Sequence, residues 1–552
     1  MVKFIPLLLF VPQLLLAQNY IAKGDSCYKA KDYVCAGTNY DLYLKIDDSN
    51  GVAYMSALSW SLANDKEKAL EGIRSYVRCN YSNGVFVFTK QLIKDKNFDF
   101  LKSDPQWKTI LAGVQSKELE VAQKEKKKVD SVLAIQHRIE SEAMLKKLNF
   151  DQDNAQTAYQ KIKHYNSYPA IEQKYLSLQF QIIDSAHTAF LVVMPPNYNP
   201  KKSYAVLFFL HGAVSSNTGY LDMVKEPGWD TGGWNRFYTK YAGDVIMVYP
   251  HGGKDYNWMY PDDGFFMVPG MLKQIKQVIN VDDNRVFITG HSNGATGSFS
   301  YLMKQPSPYA AFYGFNTRPI VETGGTYIRN ILNRSYFNVS TDQDYYYPPD
   351  ANDSLSAVMN KLGADYQDHR YNGFPHWFPK FDESEPAHKL LFEDLVKRTR
   401  NPFHPNVYWE CDDVQYGQCD WLKITALDTT AKRAAWQKDI DFEIKKWIVL
   451  RDKDSAMTRD TFLQALNYRK RSGALKAAYK NNIFTIETSD MKSFSILLSP
   501  EMVDFRKSIS VIVNGKLYSK QMFGYEKDFM LTNFKKTADR SAIWVNHIDI
   551  LL

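Results

Sequence analysis

Hydrophobic and polar positions change their period along the chain. Between about residues 176 and 400, short and continuously apolar runs such as YAVLFFL, DVIMVYP and RVFIT alternate with helical stretches, the last of them over residues 385–398. Runs of this kind are typical of strands that are buried on both faces of a parallel sheet. The pattern predicts an α/β domain over residues 180–400, with a doubly wound, mostly parallel sheet and helices on both faces.

The chain before this domain has a helical pattern. Over residues 18–115 it predicts helical hairpins, in which Ala36 and Ala69 each stand four positions before a large apolar residue, Tyr40 and Ile73. Small residues at this spacing let paired helices approach closely, so the module loosely resembles tetratricopeptide repeats and implies contact with a protein partner or packing on its neighbour. Residues 116–179, rich in Glu, Lys, Gln and Ala, predict a helical linker.

The chain after the α/β domain alternates apolar and polar residues without intervening helices. Stretches such as VYWEC, DWLKITAL, DFEIKKWIV, NNIFTIET, SFSILL and ISVIVNGKLYSK have this strand-like pattern, and Asn514-Gly515 is a strong hairpin turn. Residues 401–552 therefore predict a small antiparallel β-sandwich. No catalytic constellation is evident within it.

The N-terminal run MVKFIPLLLFVPQLLLAQ has a lysine, an apolar stretch and a small residue before a polar one. It predicts a secretory signal peptide over residues 1–17, cleaved after Ala17, and therefore an exported protein, periplasmic or secreted. Neither this run nor any later one is long and apolar enough to predict a membrane span. The net charge of +7 over 552 residues is scattered, with no basic stripe, so no nucleic-acid partner is predicted.

The five cysteines allow two close pairs. In an exported protein Cys27/Cys35 and Cys411/Cys419 could each form a disulfide, which leaves Cys79 odd. We interpret Cys27, Cys35 and Cys79 as small residues that pack between helices. The Cys411/Cys419 pair flanks a turn-like segment, and both interpretations remain open for it.

One strand-turn-helix segment carries a chemical signature. The segment Val281–Leu302, VDDNRVFITGHSNGATGSFSYL, reads as a buried strand, a sharp turn and a helix rich in small residues. Its Gly-x-Ser-x-Gly turn matches the nucleophile elbow, in which a serine is held out over the edge of the sheet. Glycine on both sides leaves room where backbone segments approach closely. Ser292 is therefore the candidate nucleophile.

A serine hydroxyl needs a base to take its proton and a third group to orient that base. In this type of fold the chain order is serine, acid, histidine. His376, in the Gly/Pro/aromatic loop YNGFPHWFP, is the preferred base, with His369 as its rival. We interpret His388, in the polar opening of a helix, and His404, in a linker, as surface residues.

The acid is expected on a loop between the serine and the histidine. The stretch SYFNVSTDQDYYYP supplies a short apolar strand followed by two aspartates. Asp344 is preferred because of its D-x-x-Y-P spacing, and Asp342 is the alternative.

Backbone amides are needed to stabilise the oxyanion formed on attack. The candidates are the amide of Asn293, next to the nucleophile, and that of Ala213, in the turn after the strand YAVLFFL. His211, His251 and His291 belong to turns and lack metal-ligand spacing, so we interpret them as packing residues. The sequence predicts neither a metal nor another cofactor.

Four stretches together resemble the α/β-hydrolase superfamily, in particular the esterase branch with polyhydroxybutyrate depolymerases and feruloyl esterases. They are PPNYNPKKSYAVLFFLHGAVSSN, VIMVYPHGG, Val281–Leu302 and GFPHWF. The resemblance implies a serine esterase with Ser292, Asp344 and His376 as its triad and amides of Ala213 and Asn293 as its oxyanion hole. The acid loop STDQD lacks the glycine that usually stands a few residues before the acid, which keeps Asp342 open.

The sequence thus predicts a secreted carboxylic-ester hydrolase that works through an acyl-enzyme. Its substrate would be a small-molecule or polysaccharide-linked ester, and Trp258, Tyr260 and Trp377 are candidates to stack on it, although core packing is open for each. One alternative is a serine peptidase of the prolyl-oligopeptidase type, although no propeller repeat precedes the domain. The other is an inactive binding or scaffold protein that acts through its flanking modules.

Overall fold

The structure is a computed structural model. It describes residues 11–82, 87, 89–214, 233–428, 430–452, 455–466 and 470–552, so residues 1–10 of the predicted signal peptide lie outside the described residues. The chain forms two compact units, Met1–Asp130 and Ser131–Leu552.

The first unit is helical. Its helices are α1 (Val11–Lys29), α2 (Tyr33–Leu44), α3 (Asn50–Leu62), α4 (Lys66–Ser82), α5 (Thr89–Lys94) and the beginning of α6 (Pro105–Ser141). Each of α1 to α3 packs on the next helix. Glycine is required where they approach, because a Cβ at Gly37 would lie 2.5 Å from the Trp60 ring and one at Gly72 would lie 2.6 Å from the Ala57 Cα. The likeness to tetratricopeptide repeats stays a prediction.

A disulfide joins α1 to α2. Cys27, near the end of α1, is bonded to Cys35, in the first turn of α2, with Cα atoms 5.8 Å apart. The interpretation of these two cysteines as packing residues was therefore wrong, because the tight connection between the helices brings them together. Cys79, Cys411 and Cys419 are free and buried, so the second possible pair does not form.

Three short helical pieces open the second unit: the rest of α6, α7 (Met144–Lys147) and α8 (Ala155–Lys163). The end of α6 is bound to the first strand of the large sheet. The Gln136 side chain donates to the Gln179 carbonyl oxygen at 3.2 Å and accepts from the Gln179 amide at 2.8 Å.

The centre of the second unit is an eight-stranded sheet in the order β1-β2-β4-β3-β5-β6-β7-β8. The strands are β1 (Tyr175–Ile183), β2 (Ala186–Val193), β3 (Tyr204–Leu210), β4 (Ile246–Pro250), β5 (Val281–Gly290), β6 (Ala311–Phe315), β7 (Ser335–Gln343) and β8 (Tyr366–Pro375). The β1/β2 and β2/β4 pairs are antiparallel, whereas every pair from β4 to β8 is parallel. The predicted mostly parallel sheet is confirmed.

Helices cover both faces of this sheet. They are α9 (Arg236–Tyr241), α10 (Asp262–Phe265), α11 (Met267–Val278), α12 (Asn293–Lys304), α13 (Pro349–Leu362) and α14 (Glu385–Leu395). Side chains of β3 alternate between two cores: Val206 and Phe208 pack with α11 and α12, whereas Leu207 and Phe209 pack with α9 and α14. This alternation explains why β3 is apolar throughout.

The C-terminal region contains two sheets that share one apolar core, with large contributions from Trp409, Trp421, Phe484 and Phe494. A four-stranded sheet has the order β10-β11-β16-β19, and a five-stranded sheet has the order β18-β17-β15-β14-β9. The elements are β9 (Asn406–Cys411), β10 (Gln418–Cys419), β11 (Leu422–Leu427), β12 (Glu443–Asp452), β13 (Ser455–Gln464), β14 (Gly473–Lys480), β15 (Ile483–Ser489), β16 (Met491–Leu498), β17 (Ile509–Val513), β18 (Lys516–Gln521), α15 (Lys527–Thr537) and β19 (Asn546–Leu551).

Two features of this region differ from the sequence prediction. The β15/β17 pair is parallel, because the chain crosses to the other sheet through β16 before it returns. In addition, α15 was not predicted. Its Met530 and Phe534 form a separate core with Ala158 and Ile162 of α8, so the predicted linker packs on the C-terminal region.

Strands β12 and β13 form a two-stranded sheet of their own, which we name the C-terminal hairpin. The buried residues at its base, Ile444, Ala465 and Leu466, belong to the core beneath the eight-stranded sheet. The hairpin is thus anchored on the α/β layer, although its sequence lies within the predicted sandwich.

Candidate active site

Ser292 lies at a tight turn between β5 and α12. Its backbone adopts φ +58° and ψ −123°, a strained conformation for a residue with a side chain. A Cβ at Gly290 would lie 2.4 Å from the Gly294 carbonyl carbon, and one at Gly294 would lie 1.8 Å from the Leu210 carbonyl oxygen. Both glycines are therefore required by close backbone packing. The Ser292 amide donates to the Phe315 carbonyl oxygen at 3.1 Å, which fixes the turn on β6.

The structure brings Ser292, His376 and Asp344 into one hydrogen-bonded chain, which we name the relay. His376 Nε2 lies 2.9 Å from Ser292 Oγ, and His376 Nδ1 lies 2.6 Å from Asp344 Oδ1. His376 directly follows β8 and Asp344 directly follows β7. Because β5, β7 and β8 run parallel, their C-terminal ends lie along one edge of the sheet, and the three residues meet there.

Hydrogen bonds to the Asp344 carboxylate fix its position and the orientation of the His376 ring. Asp344 accepts the Nδ1 proton of His376, which leaves the Nε2 lone pair facing the Ser292 hydroxyl. Asp344 also accepts from the Tyr346 amide at 2.8 Å and from Asn316 Nδ2 at 3.0 Å. Sequence reasoning missed Asn316, which directly follows β6 at the same edge, where a polar residue after a buried strand was an available signal.

The alternative acid and base have other partners. Asp342 Oδ1 accepts from the amides of Gly373 at 2.7 Å and Phe374 at 3.3 Å, so Asp342 anchors the end of β8 that leads to His376. His369 lies within β8, where its ring stacks on Phe337 at 4.4 Å between centroids. Neither Asp342 nor His369 forms part of the relay.

Two histidines that belong to turns, His291 and His211, line the same cavity as the relay. His291 is buried, and its Nε2 donates to the His376 carbonyl oxygen at 2.7 Å. Burial lowers the pKa of His291 well below its usual value, so the ring is neutral. His211 Nδ1 donates to the Gly212 carbonyl oxygen at 2.8 Å, and its Nε2 accepts from the Gly252 amide at 3.1 Å. These contacts agree with the interpretation of both residues as turn residues.

The turn after β3 passes close to the serine. A Cβ at Gly212 would lie 3.0 Å from the Ser292 Cβ, so glycine permits this approach. Ala213 has φ +55°, and Asn293 is the first residue of α12. Both Ala213 and Asn293 line the same cavity as Ser292.

The relay opens into a cavity of about 670 Å³ among the described residues. Its wall includes four aromatic side chains, Phe209, Tyr345, Tyr346 and Trp377. The rings of Tyr345 and Tyr346 lie 4.7 and 5.3 Å from the His376 ring. Asn235 and Lys380 also line the cavity. Of these residues, only Trp377 was predicted to bind substrate.

Two predicted substrate-binding residues do not line this cavity. Trp258 is fully buried, with its ring against His211 at 4.7 Å between centroids, and a Cβ at Gly297 would lie 2.3 Å from its ring. The prediction for Trp258 was wrong, because the residue packs under α12. Tyr260 is 37% exposed and is not among the residues that line the cavity, so its contact with substrate stays a prediction.

His388 was predicted at the surface, but it is fully buried, whereas His404 is exposed as expected. His388 Nδ1 donates to the Ser384 carbonyl oxygen at 2.9 Å, and its ring stacks on Phe315 at 4.5 Å between centroids. Burial lowers its pKa to about 4. The His388 ring lies behind Phe315, whose carbonyl oxygen accepts a hydrogen bond from the Ser292 amide.

Within the part of the chain that the structure describes, no group of three or more His, Cys, Asp or Glu side chains is placed to hold a metal ion. Among the same residues, no helix combines the length and apolar composition needed to cross a bilayer.

No family model matches the chain, and no curated protein matches it. Among solved structures it is similar to a thermostable esterase, with 19% identity and a TM-score of 0.34, over 41% of this chain and 64% of that one. It is also similar to a ferulic acid esterase, with 18% identity and a TM-score of 0.31, over 40% and 96% of the chains. A putative dipeptidyl aminopeptidase IV from Bacteroides ovatus matches with 13% identity and a TM-score of 0.33, over 41% and 36%. The match thus spans less than two thirds of the first and last of these proteins.

Proposed function

We propose that this chain is a serine hydrolase that cleaves carboxylic esters through an acyl-enzyme intermediate. The observation that carries the proposal is the continuous Ser292–His376–Asp344 hydrogen-bonded chain, which ends at a serine hydroxyl facing a cavity. A nucleophile, its base and the group that orients the base are the parts required for this chemistry.

The first half-reaction forms the acyl-enzyme. Ser292 Oγ attacks the ester carbonyl carbon while its proton passes to His376 Nε2, and the carbonyl π electrons move onto oxygen. When the tetrahedral intermediate collapses, the bond to the alkoxy oxygen breaks and His376 returns the proton to the leaving alcohol. Between these two steps, Asp344 stabilises the positively charged imidazolium.

The second half-reaction repeats these steps with water. His376 Nε2 takes a proton from water, the hydroxide attacks the acyl carbon, and the proton returns to Ser292 Oγ as the acid leaves. In both halves the oxyanion would be bound by the amides of Ala213 and Asn293. Each such donor typically contributes about 3 kcal/mol of transition-state stabilisation.

The aromatic lining supports a substrate that carries a ring next to the ester, from a small-molecule or polysaccharide-linked source. Tyr345 and Trp377 provide flat apolar surfaces, while Asn235 and Lys380 provide hydrogen-bond donors for polar groups of that substrate.

We also propose that the protein is exported, to the periplasm or outside the cell. The predicted signal peptide supports this proposal, and so does the Cys27–Cys35 disulfide, because disulfides persist mainly in oxidising compartments.

The test is covalent labelling with a fluorophosphonate probe, read as intact mass, on wild type and Ser292→Ala. We expect one adduct on wild type and none on the variant. Turnover of p-nitrophenyl acetate and of the matched anilide p-nitroacetanilide then separates ester from amide cleavage. Absence of an adduct on folded wild type would contradict the proposal, and faster turnover of the anilide than of the ester would favour a peptidase.

A further inference from the structure

The C-terminal hairpin contacts the turn that follows the acid. Trp447, on β12, donates its indole Nε1 proton to the Tyr345 carbonyl oxygen at 2.9 Å. The Trp447 and Tyr347 rings meet edge to face with their centroids 6.4 Å apart, and the Arg318 guanidinium carbon lies 5.8 Å from the Trp447 ring centroid. One side chain from the C-terminal region thus contacts both ends of the 345–347 turn.

This turn is continuous with the relay. Tyr345 follows Asp344 directly, and its ring lies 4.7 Å from the His376 ring at the cavity wall. The amide of Tyr346 donates to Asp344 Oδ1, the oxygen that also receives the His376 proton. A shift of the turn would therefore move the acceptor of the His376 Nδ1 proton and the ring that covers the base.

The base of the C-terminal hairpin is anchored by buried side chains and hydrogen bonds. Ile444 and Leu466 are buried in the core of the eight-stranded sheet, and the Leu466 amide donates to Asp441 Oδ1 at 2.9 Å. The Ala465 amide donates to the Phe442 carbonyl oxygen at 2.9 Å, which closes the base of the hairpin. Trp447 projects from this anchored base, three positions beyond Ile444.

We propose that Trp447 is a positioning residue of the active site, through which the C-terminal hairpin holds the turn that carries Asp344 and Tyr345. This inference rests on the proposed hydrolase function. Placement errors of about 1 Å at a catalytic group reduce rates by up to about a hundredfold, so loss of one hydrogen bond to this turn is expected to affect turnover.

The test compares Trp447→Phe with Trp421→Phe. The first variant keeps an aromatic ring against Tyr347 but removes the N–H donor. The control removes a bond of the same kind within the C-terminal core, where Trp421 Nε1 donates to the His404 carbonyl oxygen at 2.9 Å. Three quantities are measured: kcat and KM with p-nitrophenyl acetate, the rate of fluorophosphonate labelling, and the downfield proton resonance of the His376–Asp344 hydrogen bond.

We expect Trp447→Phe to lower kcat and the labelling rate about tenfold, with KM changed by less than about twofold, and to shift or broaden the downfield resonance. Trp421→Phe should leave all three unchanged, whatever it does to the melting temperature. Wild-type kcat in Trp447→Phe, or an equal loss in Trp421→Phe, would overturn the inference.

The same measurements separate this inference from the proposed function. If wild type neither labels nor hydrolyses the ester, the proposed function fails and the resonance alone decides the role of Trp447. A resonance that changes only in Trp447→Phe then retains Trp447 as the residue that positions the Asp344 turn. A resonance unchanged in both variants rejects that role.

Discussion

Two buried polar clusters in the second unit differ in how their charges are satisfied. The relay ends at a hydroxyl that faces a cavity of about 670 Å³. The other, which we name the buried ion cluster, meets only a recess of about 120 Å³. It comprises Lys276, Asp283, Arg400, Asp539 and Arg540. The relay thus leaves one hydroxyl facing open space, whereas the charges of the buried ion cluster have almost no open space beside them.

The charged side chains of the buried ion cluster are paired with one another. Arg400 forms two hydrogen bonds to Asp539, at 2.8 and 3.1 Å, and Lys276 Nζ lies 2.7 Å from Asp283 Oδ1 and 3.4 Å from Asp539 Oδ2. Burial by itself would raise the pKa of Asp539, but Arg400 and Lys276 hold that pKa well below its usual range. These contacts connect α11 and β5 to the chain that follows α15, so the cluster joins the α/β layer to the C-terminal region.

The largest effect that distinguishes the two clusters is expected from a substitution of Asp344, the carboxylate of the relay. Asp344→Asn keeps the shape of the side chain but cannot orient the imidazole with its Nε2 lone pair toward Ser292. We expect kcat to fall about 10³- to 10⁴-fold with little loss of stability. The matched control is Asp342→Asn, whose amide oxygen can still accept from Gly373. Steady-state kinetics on both variants test the assignment, and a larger loss in Asp342→Asn would reverse it.

In the buried ion cluster we expect a substitution to lower stability and to leave turnover unchanged. Asp539→Asn leaves the Arg400 guanidinium buried without its paired charge, so we expect a loss of about 3–5 kcal/mol in the free energy of unfolding. Turnover per folded molecule should stay at the wild-type level, because the relay is not involved. Urea unfolding and active-site titration measure the two effects.

The control for Asp539→Asn is Asp244→Asn, which breaks the exposed Lys202–Asp244 ion pair. An exposed pair of this kind contributes little to stability, because solvent screens its charges. Equal losses in the two variants would show that the buried ion cluster has no special role in stability.

The relay could be predicted from the sequence because its geometry imposes local patterns. The glycines around Ser292 are dictated by backbone contacts at distances that exclude a side chain. The acid and the base each follow a strand of a parallel sheet, so their order and their loops were visible. The choice of Asp344 over Asp342 was carried by spacing alone, and the hydrogen bond to His376 now supports it.

Features that depend on distant parts of the chain left no local pattern. Trp258 lies in a polar, turn-rich stretch that indicates exposure, yet Gly297 of α12 opens the space in which it is buried. The members of the buried ion cluster come from three distant parts of the chain, at residues 276–283, 400 and 539–540, and in the sequence they look like ordinary surface charges. Trp447 stands in a strand assigned to the sandwich, and only the three-dimensional structure places it against Tyr345.

A smaller effect is expected at His388, which lies behind the relay. Its folded pKa of about 4 is below the ordinary value of about 6.5, so the unfolded chain binds more protons between these values. This residue has little effect on the pH dependence of stability above about pH 7.5. It removes about 2 kcal/mol of stability as the pH falls from 7 to 5.

His388→Phe keeps a ring against Phe315 and removes this titration. Urea unfolding at pH 7 and pH 5 should therefore show a smaller acid loss in the variant than in wild type. The control is His404→Gln, at an exposed histidine, which should retain the full loss. If His388→Phe loses as much stability between pH 7 and pH 5 as wild type does, His388 does not cause this loss.

The smallest effect is expected at Lys304, a buried charge that is neutralised only in part. Its Nζ donates to Thr323 Oγ1 at 2.6 Å, lies 3.5 Å from the Tyr416 ring centroid and is 3.6 Å from Asp262 Oδ1. Burial lowers its pKa to about 8, although Asp262 opposes the shift. The unfolded chain binds more protons between pH 8 and the ordinary lysine value of about 10.4, so stability should rise with pH across this window. The charge of Lys304 is thus less completely compensated than the charges of the buried ion cluster.

Lys304→Met removes this dependence while it fills a similar volume. Between pH 7 and pH 9, wild type should gain about 1 kcal/mol in the free energy of unfolding relative to the variant, measured in urea. Lys361→Met, at an exposed position of α13, should keep the wild-type dependence. The same pH dependence of the free energy of unfolding in wild type and Lys304→Met would mean that the charge of Lys304 is fully compensated in the folded protein. Lys304 would then belong with the buried ion cluster, as a second closed contact between the α/β layer and the C-terminal region.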